Sequence, residues 1–279
     1  MNTATAIKNS DTIAIGGFDG VHVGHQHLFT HLGEEGCIVV IDSGFANLTP
    51  KREREKFTHY PLYYFRLDAI RHLDADGFIS LLKEEFPRLK KIVVGYDFHF
   101  GKERAYSHED LKKGFQGEVI VVDEVKVNGE SVHSRTIRQK LSHGDIKTAN
   151  ALLGRNYTIS GDVIKGQGIG AKELVATINL HVSSFMLPQE GVYTTLTRID
   201  DEEHYHPSIS FIGHRATTDG SFAVETHILD GKIECTKQAS ISFVNFVRKN
   251  QKFDSLDELK VQIKRDINIS KSELKMLQL

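Results

Sequence analysis

Two histidines three residues apart, set in a run of glycines, are the first feature of this sequence that suggests chemistry. The run Thr12 to Phe29 reads TIAIGGFDGVHVGHQHLF. A buried strand passes through a glycine-rich turn into a helix. Gly16, Gly17, Gly20 and Gly24 permit close backbone approach and positive φ there. The first turn of the new helix offers free N–H groups to an anion. His22 and His25 would donate hydrogen bonds to phosphate oxygens as charge builds in a phosphoryl-type transfer. Two other readings of the same residues stand beside this one. The histidines are surface groups beside an ordinary turn, or His22, His25 and His27 ligate a metal.

Such a turn needs a sheet to hold it, and the first half of the chain supplies the pattern. TIAIGGF, GCIVVID, KKIVVGYDF and GEVIVVDEV are short apolar runs, and QHLFTHLGEEG, DGFISLLKEEFPRL and SHEDLKKGF between them have helical spacing. The alternation predicts a doubly wound, parallel α/β sheet that binds ligands beyond the carboxyl ends of its strands. From about Asn156 the pattern changes to short alternating segments, YTISGDVI, ATINLHV, GVYTTLTRI, PSISFIG, FAVETHILD and ASISFVNFVR. These predict an antiparallel barrel or sandwich. SLDELKVQIKRDINI closes the chain as an amphipathic helix, with Ser255 as N-cap and Glu258 three residues on. We expect two domains, residues 1–150 and 151–279, joined through the helical stretch TANALLGR.

Composition bounds the partners. The 279 residues are 39% hydrophobic and 26% charged, with a net charge of −2, so no global basic field is present to hold nucleic acid. Cys37 and Cys235 suggest neither a disulfide framework nor a zinc pattern. No apolar run reaches the length of a membrane span and no signal segment opens the chain, so the expectation is a cytoplasmic protein with no membrane partner.

The opening run matches the nucleotidyltransferase pattern GxFDGxHxGHxxL throughout and resembles the N-terminal module of the bacterial bifunctional riboflavin kinase/FAD synthetases. The resemblance implies that Gly16, Phe18, Gly20 and Gly24 surround ATP. It implies that His22 and His25 bind the phosphates and stabilise transfer of the adenylyl group to FMN, with no covalent intermediate. VVGYDFHFGK is similar to the family's GxDFxFG segment, which puts Asp97 and Phe98 on the flavin side, with Phe100 beside them; filling the core is the other reading of both aromatics. VHSRTIRQKL resembles the family's ISSTxIR, with Ser134 and Arg138 in register as nucleotide-binding residues and His133 and Arg135 as departures. After the second strand, SGFANLTPKRER replaces the family's acidic and proline residues. Its Lys51, Arg52 and Arg54 read as a solvated charge run or as phosphate anchors.

A second set follows in the family's order. LLGRNYTISGDVIKGQGIG looks like the opening of a riboflavin kinase, which implies that Gly161, Gly166 and Gly170, with Gly168, form a flap over ATP. Ala176-Thr177-Ile178-Asn179 stands where the family has PTAN. Thr177 and Asn179 would be the hard-oxygen ligands of Mg²⁺ beside the nucleotide phosphates. FAVETHILD resembles the family's ExHxxD strand. Glu225 is then the base that takes a proton from the ribityl hydroxyl, and His227 and Asp230 are structural partners. Arg248 and Phe253 are implied on the flavin side of the kinase site, and FIGHRATTD replaces the usual NxGxxPT-like stretch, with Ala216 where proline is common. The whole implies an enzyme that makes FMN from riboflavin and ATP, then FAD from FMN and ATP, with Mg²⁺. The alternatives are a single-activity relative, kinase only or adenylyltransferase only, and a non-catalytic flavin- or nucleotide-binding module.

Overall fold

A computed structural model describes residues 7–165, 176–217, 219–231 and 237–277. The chain divides into two compact units, Met1–Ser134 and Arg135–Leu279.

The first unit is built on a five-stranded, all-parallel sheet. The order across it is Leu62–Arg66, Gly36–Asp42, Thr12–Gly16, Lys91–Gly95, Glu118–Val122. Alternate residues of the central strands face opposite ways, as the two-residue period requires. Ile13, Ile15, Val39, Ile92 and Val94 join one apolar cluster with Phe78 and Leu82 of the helix Ala75–Glu85 and Leu111 of the helix His108–Gly114. Ala14, Ile38, Val40 and Val93 join the other, with Leu28 and Phe29 of the helix Val23–Phe29. Chain order reverses between the first strand and Lys91–Gly95, so the crevice beyond their carboxyl ends is the switch point where doubly wound sheets bind ligands. The strand Leu62–Arg66 is the one sheet member that the apolar pattern does not announce. It lies at the sheet edge and all but one of its residues stay partly exposed, so it lacks the continuous apolar run of its neighbours.

The second unit is a closed, antiparallel six-stranded barrel. The order is Thr158–Ile164, Ile178–His181, Phe222–Ile228, His206–His214, Gly191–Ile199, Gln238–Lys249, which closes back on the first. These are the six alternating segments of the sequence. Part of the interior is polar. Thr195, Thr197, Ser208, Ser210 and Thr226 are buried, and their hydroxyls bond one another at 2.8 to 3.0 Å, so each buried O–H is satisfied within the ladder. The helix Leu256–Leu277 packs on the barrel. Ser255 caps it through Oγ, which accepts from the Glu258 N–H at 3.2 Å, while Glu258 Oε2 accepts from the Asp254 N–H. No helix among the described residues is long and apolar enough to cross a membrane.

Candidate functional sites

The first constellation lies at the carboxyl end of the first strand. Beyond Gly16 the chain turns through Phe18, Gly20 and Val21, all with positive φ. The two non-glycine residues in that region mark a turn held by its surroundings. The clamp is Asp19. Its carboxylate accepts from the N–H groups of Asn47, Leu48 and Thr49 at 2.9 to 3.3 Å, and Thr49 Oγ1 accepts from the Gly20 N–H at 2.7 Å. Ser134 Oγ donates to the Asp19 carbonyl at 2.7 Å, which fixes the start of the helix Ser134–Ser142 to the same turn. Asp19 was not among the residues singled out from sequence. Its signal was the FDG tripeptide, whose acidic residue had no assigned partner.

His22 is the N-cap of the helix Val23–Phe29, and its Nδ1 accepts from the His25 N–H at 3.3 Å. The two imidazoles stack at 3.5 Å between centroids and 18° between planes, and Phe18 meets the His25 ring edge-on at 5.1 Å. Gly24 leaves room for this pair, since a Cβ there would lie 3.3 Å from His22 Cε1 and Nδ1. His27 is exposed and pairs with His31 instead. Among the described residues, His22, His25 and His27 do not converge as a group of metal donors. The arrangement therefore presents two adjacent imidazoles and the start of a helix at the switch point of the sheet.

Around this turn the structure sorts the remaining expectations. Asp97 is exposed. Phe98 and Phe100 are 9% and 6% exposed and lie in the apolar cluster, their rings 5.7 Å apart, so both serve packing. Tyr96, which was not singled out, sits at the strand end. Its hydroxyl lies 3.1 Å from His133 Nε2 and 3.5 Å from Glu124 Oε1. The departure His133 thus belongs to a polar cluster at the carboxyl edge. Lys51 and Arg52 are exposed, as a solvated run would be, but Arg54 is 2% exposed and turns inward, where Nη1 donates to the Lys51 carbonyl. A buried guanidinium does not fit a solvated run; it keeps a positive charge inside this unit. Arg138 is half-buried on the same helix as Ser134, beyond the point where the second unit begins.

The second constellation is on the barrel. The strands Ile178–His181 and Phe222–Ile228 pair so that Asn179 lies opposite Glu225. Asn179 Nδ2 lies 3.5 Å from Thr177 Oγ1. The sequence brought these three residues together only through resemblance; the ladder register brings them together physically. Arg215, which sequence reading passed over, joins them. Its Nε and Nη2 donate to Glu225 Oε1 at 3.1 and 2.6 Å, Nη2 also donates to Asn179 Oδ1 at 2.8 Å, and Nη1 donates to Ser221 Oγ at 2.6 Å. Both side chains of the ion pair are about four-fifths buried. The available signal was a lone cation in FIGHRATTD, one turn upstream of the Glu225 strand. His227 Nδ1 lies 2.8 Å from the Ala176 carbonyl and so steadies the approach to Thr177.

Thr177 and Asn179 suit a hard cation: both offer neutral oxygens, and the Glu225 carboxylate stands beside them. Asn179 Oδ1 accepts one bond from Arg215, which leaves its second lone pair for a cation. Gly161 lies in the strand Thr158–Ile164, where a Cβ would come 2.7 Å from the His181 carbonyl oxygen, so strand crowding accounts for this glycine. Gly166, Gly168 and Gly170 lie outside the described residues. Arg248 grips the buried carboxylate of Asp266 on the closing helix, with Nε at 2.9 and 3.1 Å and Nη2 at 2.8 Å, and its guanidinium carbon lies 5.7 Å from the Phe253 ring centre. Phe253 N–H donates to Thr217 Oγ1, which ties that ring to the loop carrying Arg215.

Comparison with known proteins covers both units. Residues 153–274 match the family model described as riboflavin kinase. Over nearly its whole length the chain is similar to proteins named bifunctional riboflavin kinase/FMN adenylyltransferase. One from Buchnera aphidicola is 33% identical, covering 94% of this chain and 93% of the relative. One from Escherichia coli K12 is 30% identical, covering 95% and 93%. One from Haemophilus influenzae is 27% identical, covering 98% and 97%. A solved structure titled as a macrolide-efflux protein from Streptococcus pneumoniae superposes with a TM-score of 0.83 at 26% identity, covering 94% of each chain. An identity of 33% over 94% of this chain and 93% of the relative shows that the chain belongs to the bifunctional riboflavin kinase/FMN adenylyltransferase family.

Proposed function

We infer that this chain carries out both reactions for which its family is named: phosphorylation of riboflavin to FMN by ATP, and adenylylation of FMN to FAD with release of pyrophosphate. We take residues 1–150 as the adenylyltransferase part and residues 151–279 as the kinase part. The observation that carries the reading is the pairing of Asn179 opposite Glu225 in a barrel that follows a separate imidazole-bearing turn.

In the first reaction Glu225 accepts the proton of the riboflavin hydroxyl as the hydroxyl oxygen attacks the γ-phosphorus of ATP and the bond to the β,γ-bridging oxygen breaks, releasing ADP. Arg215 holds the carboxylate in place through Oε1 and leaves Oε2 available to the substrate. Thr177 and Asn179 would hold Mg²⁺, which when bound offsets charge on the phosphate oxygens. Gly166 and Gly170, with Gly161 at the strand, are assigned to the nucleotide side. Phe253 offers an aromatic face to the flavin, and Arg248 fixes that face by gripping Asp266.

In the second reaction the helix start and the His22–His25 pair receive the ATP phosphates, and the two imidazoles donate to oxygens on which charge develops. Gly16, Gly20 and Gly24 let the nucleotide approach the backbone, and Phe18 props His25 from behind. Ser134 holds the turn, and Arg138 is assigned to the phosphates as a planar fork. Asp97 is assigned to the flavin side, and Phe98 next to it in sequence belongs to the apolar cluster of this unit. ATP as substrate of both steps suits a cytoplasmic enzyme. The test is to incubate the purified protein with riboflavin, ATP and Mg²⁺ and separate the flavins. FMN followed by FAD supports the reading; FMN alone, FAD from supplied FMN alone, or bound but unchanged flavin would each replace it.

A further inference from the structure

The hairpin between the barrel strands Gly191–Ile199 and His206–His214 carries a cluster that neither reaction uses. In Glu202-Glu203-His204-Tyr205-His206 every second residue is a metal-type donor. His206 Nε2 lies 2.5 Å from Glu202 Oε2, and His204 Nε2 lies 3.7 Å from the same oxygen. One donor atom from each of the three lies within 4.8 Å of the others. We propose that Glu202, His204 and His206 form a binding site for a divalent transition-metal ion of the zinc type.

The donor set and the spacing both favour this class. Two imidazoles and one carboxylate suit Zn²⁺, Ni²⁺ or Cu²⁺, whereas Mg²⁺ and Ca²⁺ prefer oxygen alone. Bonds of about 2.1 Å in a tetrahedral site separate donors by about 3.4 Å. The two separations to Glu202 Oε2 bracket that value, and all three donors lie within 4.8 Å of one another, so side-chain shifts of about 1–1.5 Å complete the site. The backbone beneath is fixed. His206 is in ladder register with Thr197, and the Glu202 N–H donates to the Ile199 carbonyl. Asp200, at φ 46°, accepts from the N–H groups of Lys237 and Gln238. Arg198 lies over the Tyr205 ring at 5.6 Å, which holds the residue between the two histidines. His204, with a side chain 70% exposed, is the one ligand free to swing. Three protein donors leave a fourth position for water.

The site is separate from the kinase centre. His206 lies five residue steps along one strand from Phe211, the register partner of Glu225, a rise of about 17 Å. The inference therefore does not rest on the functional reading above.

The test uses untagged full-length protein, stripped of metal and titrated with Zn²⁺ against a chromophoric chelator. One Zn²⁺ per chain is expected to be lost in the Glu202→Gln, His204→Ala and His206→Ala variants, each weakening that site by about tenfold or more. His143→Ala, an exposed histidine elsewhere, is expected to bind as wild type does. His204 is on the surface, so its variant keeps the fold, and FMN and FAD formation in Mg²⁺ should be unchanged. If wild type and His204→Ala bind Zn²⁺ equally, or wild type lacks a one-to-one site, the proposal fails and the trio is a hydrogen-bonded turn only.

Discussion

Replacing Arg215 with Met would remove one guanidinium that joins the proposed base to a proposed metal ligand. It makes two hydrogen bonds to Glu225 Oε1, one to Asn179 Oδ1 and one to Ser221 Oγ. A charge-assisted bond contributes about 1.5–3 kcal/mol, and breaking a buried ion pair costs about 3–5 kcal/mol because one charge is stranded. This pair keeps about a fifth of its side-chain surface in water, so screening lowers the figure to about 2–4 kcal/mol. For a unit of this size that is a fall of about 5–15 °C in its melting transition. The kinetic effect comes from geometry. A carboxylate displaced by about 1 Å loses up to about a hundredfold in rate, so riboflavin phosphorylation should fall about 10–100-fold, chiefly in kcat. Adenylylation of supplied FMN should not change. Lys at 215 restores charge but not a fork that spans Glu225 and Asn179, so its rate should fall between the two. The assay is steady-state FMN formation at saturating ATP and Mg²⁺, with FAD formation from FMN measured on the same preparations. A folded Arg215→Met protein that phosphorylates riboflavin within about twofold of wild type would refute the positioning role.

Three further outcomes follow from the same geometry. Gly24→Ala puts a methyl 3.3 Å from the His22 ring, so FAD formation should drop about tenfold or more while FMN formation from riboflavin is kept; equal loss of both would contradict the division. Arg248→Ala leaves the Asp266 carboxylate, 2% exposed, without its cation, so the barrel should lose about 3–5 kcal/mol in thermal or denaturant unfolding, and Arg248→Ala with Asp266→Asn should recover part of it. Burial pushes the Cys37 thiol up from 9.0 to about 12. The folded state therefore keeps it protonated where the unfolded chain ionises, and stability from this group falls as pH rises from about 9 toward 12. Peptide-resolved alkylation at pH 8 should leave Cys37 unlabelled until the protein unfolds.

Much of the fold was legible because periodicity is a local property. Ile13, Ile15, Val39 and Val94 sit in unbroken apolar runs, and such runs between helices are what a sheet covered on both faces produces. The six barrel strands were visible for the opposite reason: alternation, including the Thr and Ser positions whose hydroxyls bond one another inside the barrel. Leu62–Arg66 was missed because an edge strand need not be apolar throughout. The sites were legible where glycines and histidines are close in sequence, as at His22 and His25. They were not where the partner is distant. Asp19 meets Asn47 to Thr49, Arg215 meets Asn179, and Arg248 meets Asp266, and no local pattern foretells these pairs. Phe98 and Arg54 show the same limit from the other side. Residue type alone does not say whether a ring lines a site or fills a core, or whether a cation is solvated or buried.

The division of labour between two constellations is tested most directly by following flavins through two variants. Wild type, His25→Ala and Glu225→Gln are each given riboflavin, then FMN, with ATP and Mg²⁺, and the products are separated. The account predicts that His25→Ala makes FMN and stops there, and that Glu225→Gln makes no FMN but converts supplied FMN to FAD. Loss of both activities in either folded variant, or retention of the reaction assigned to the altered residue, would contradict it.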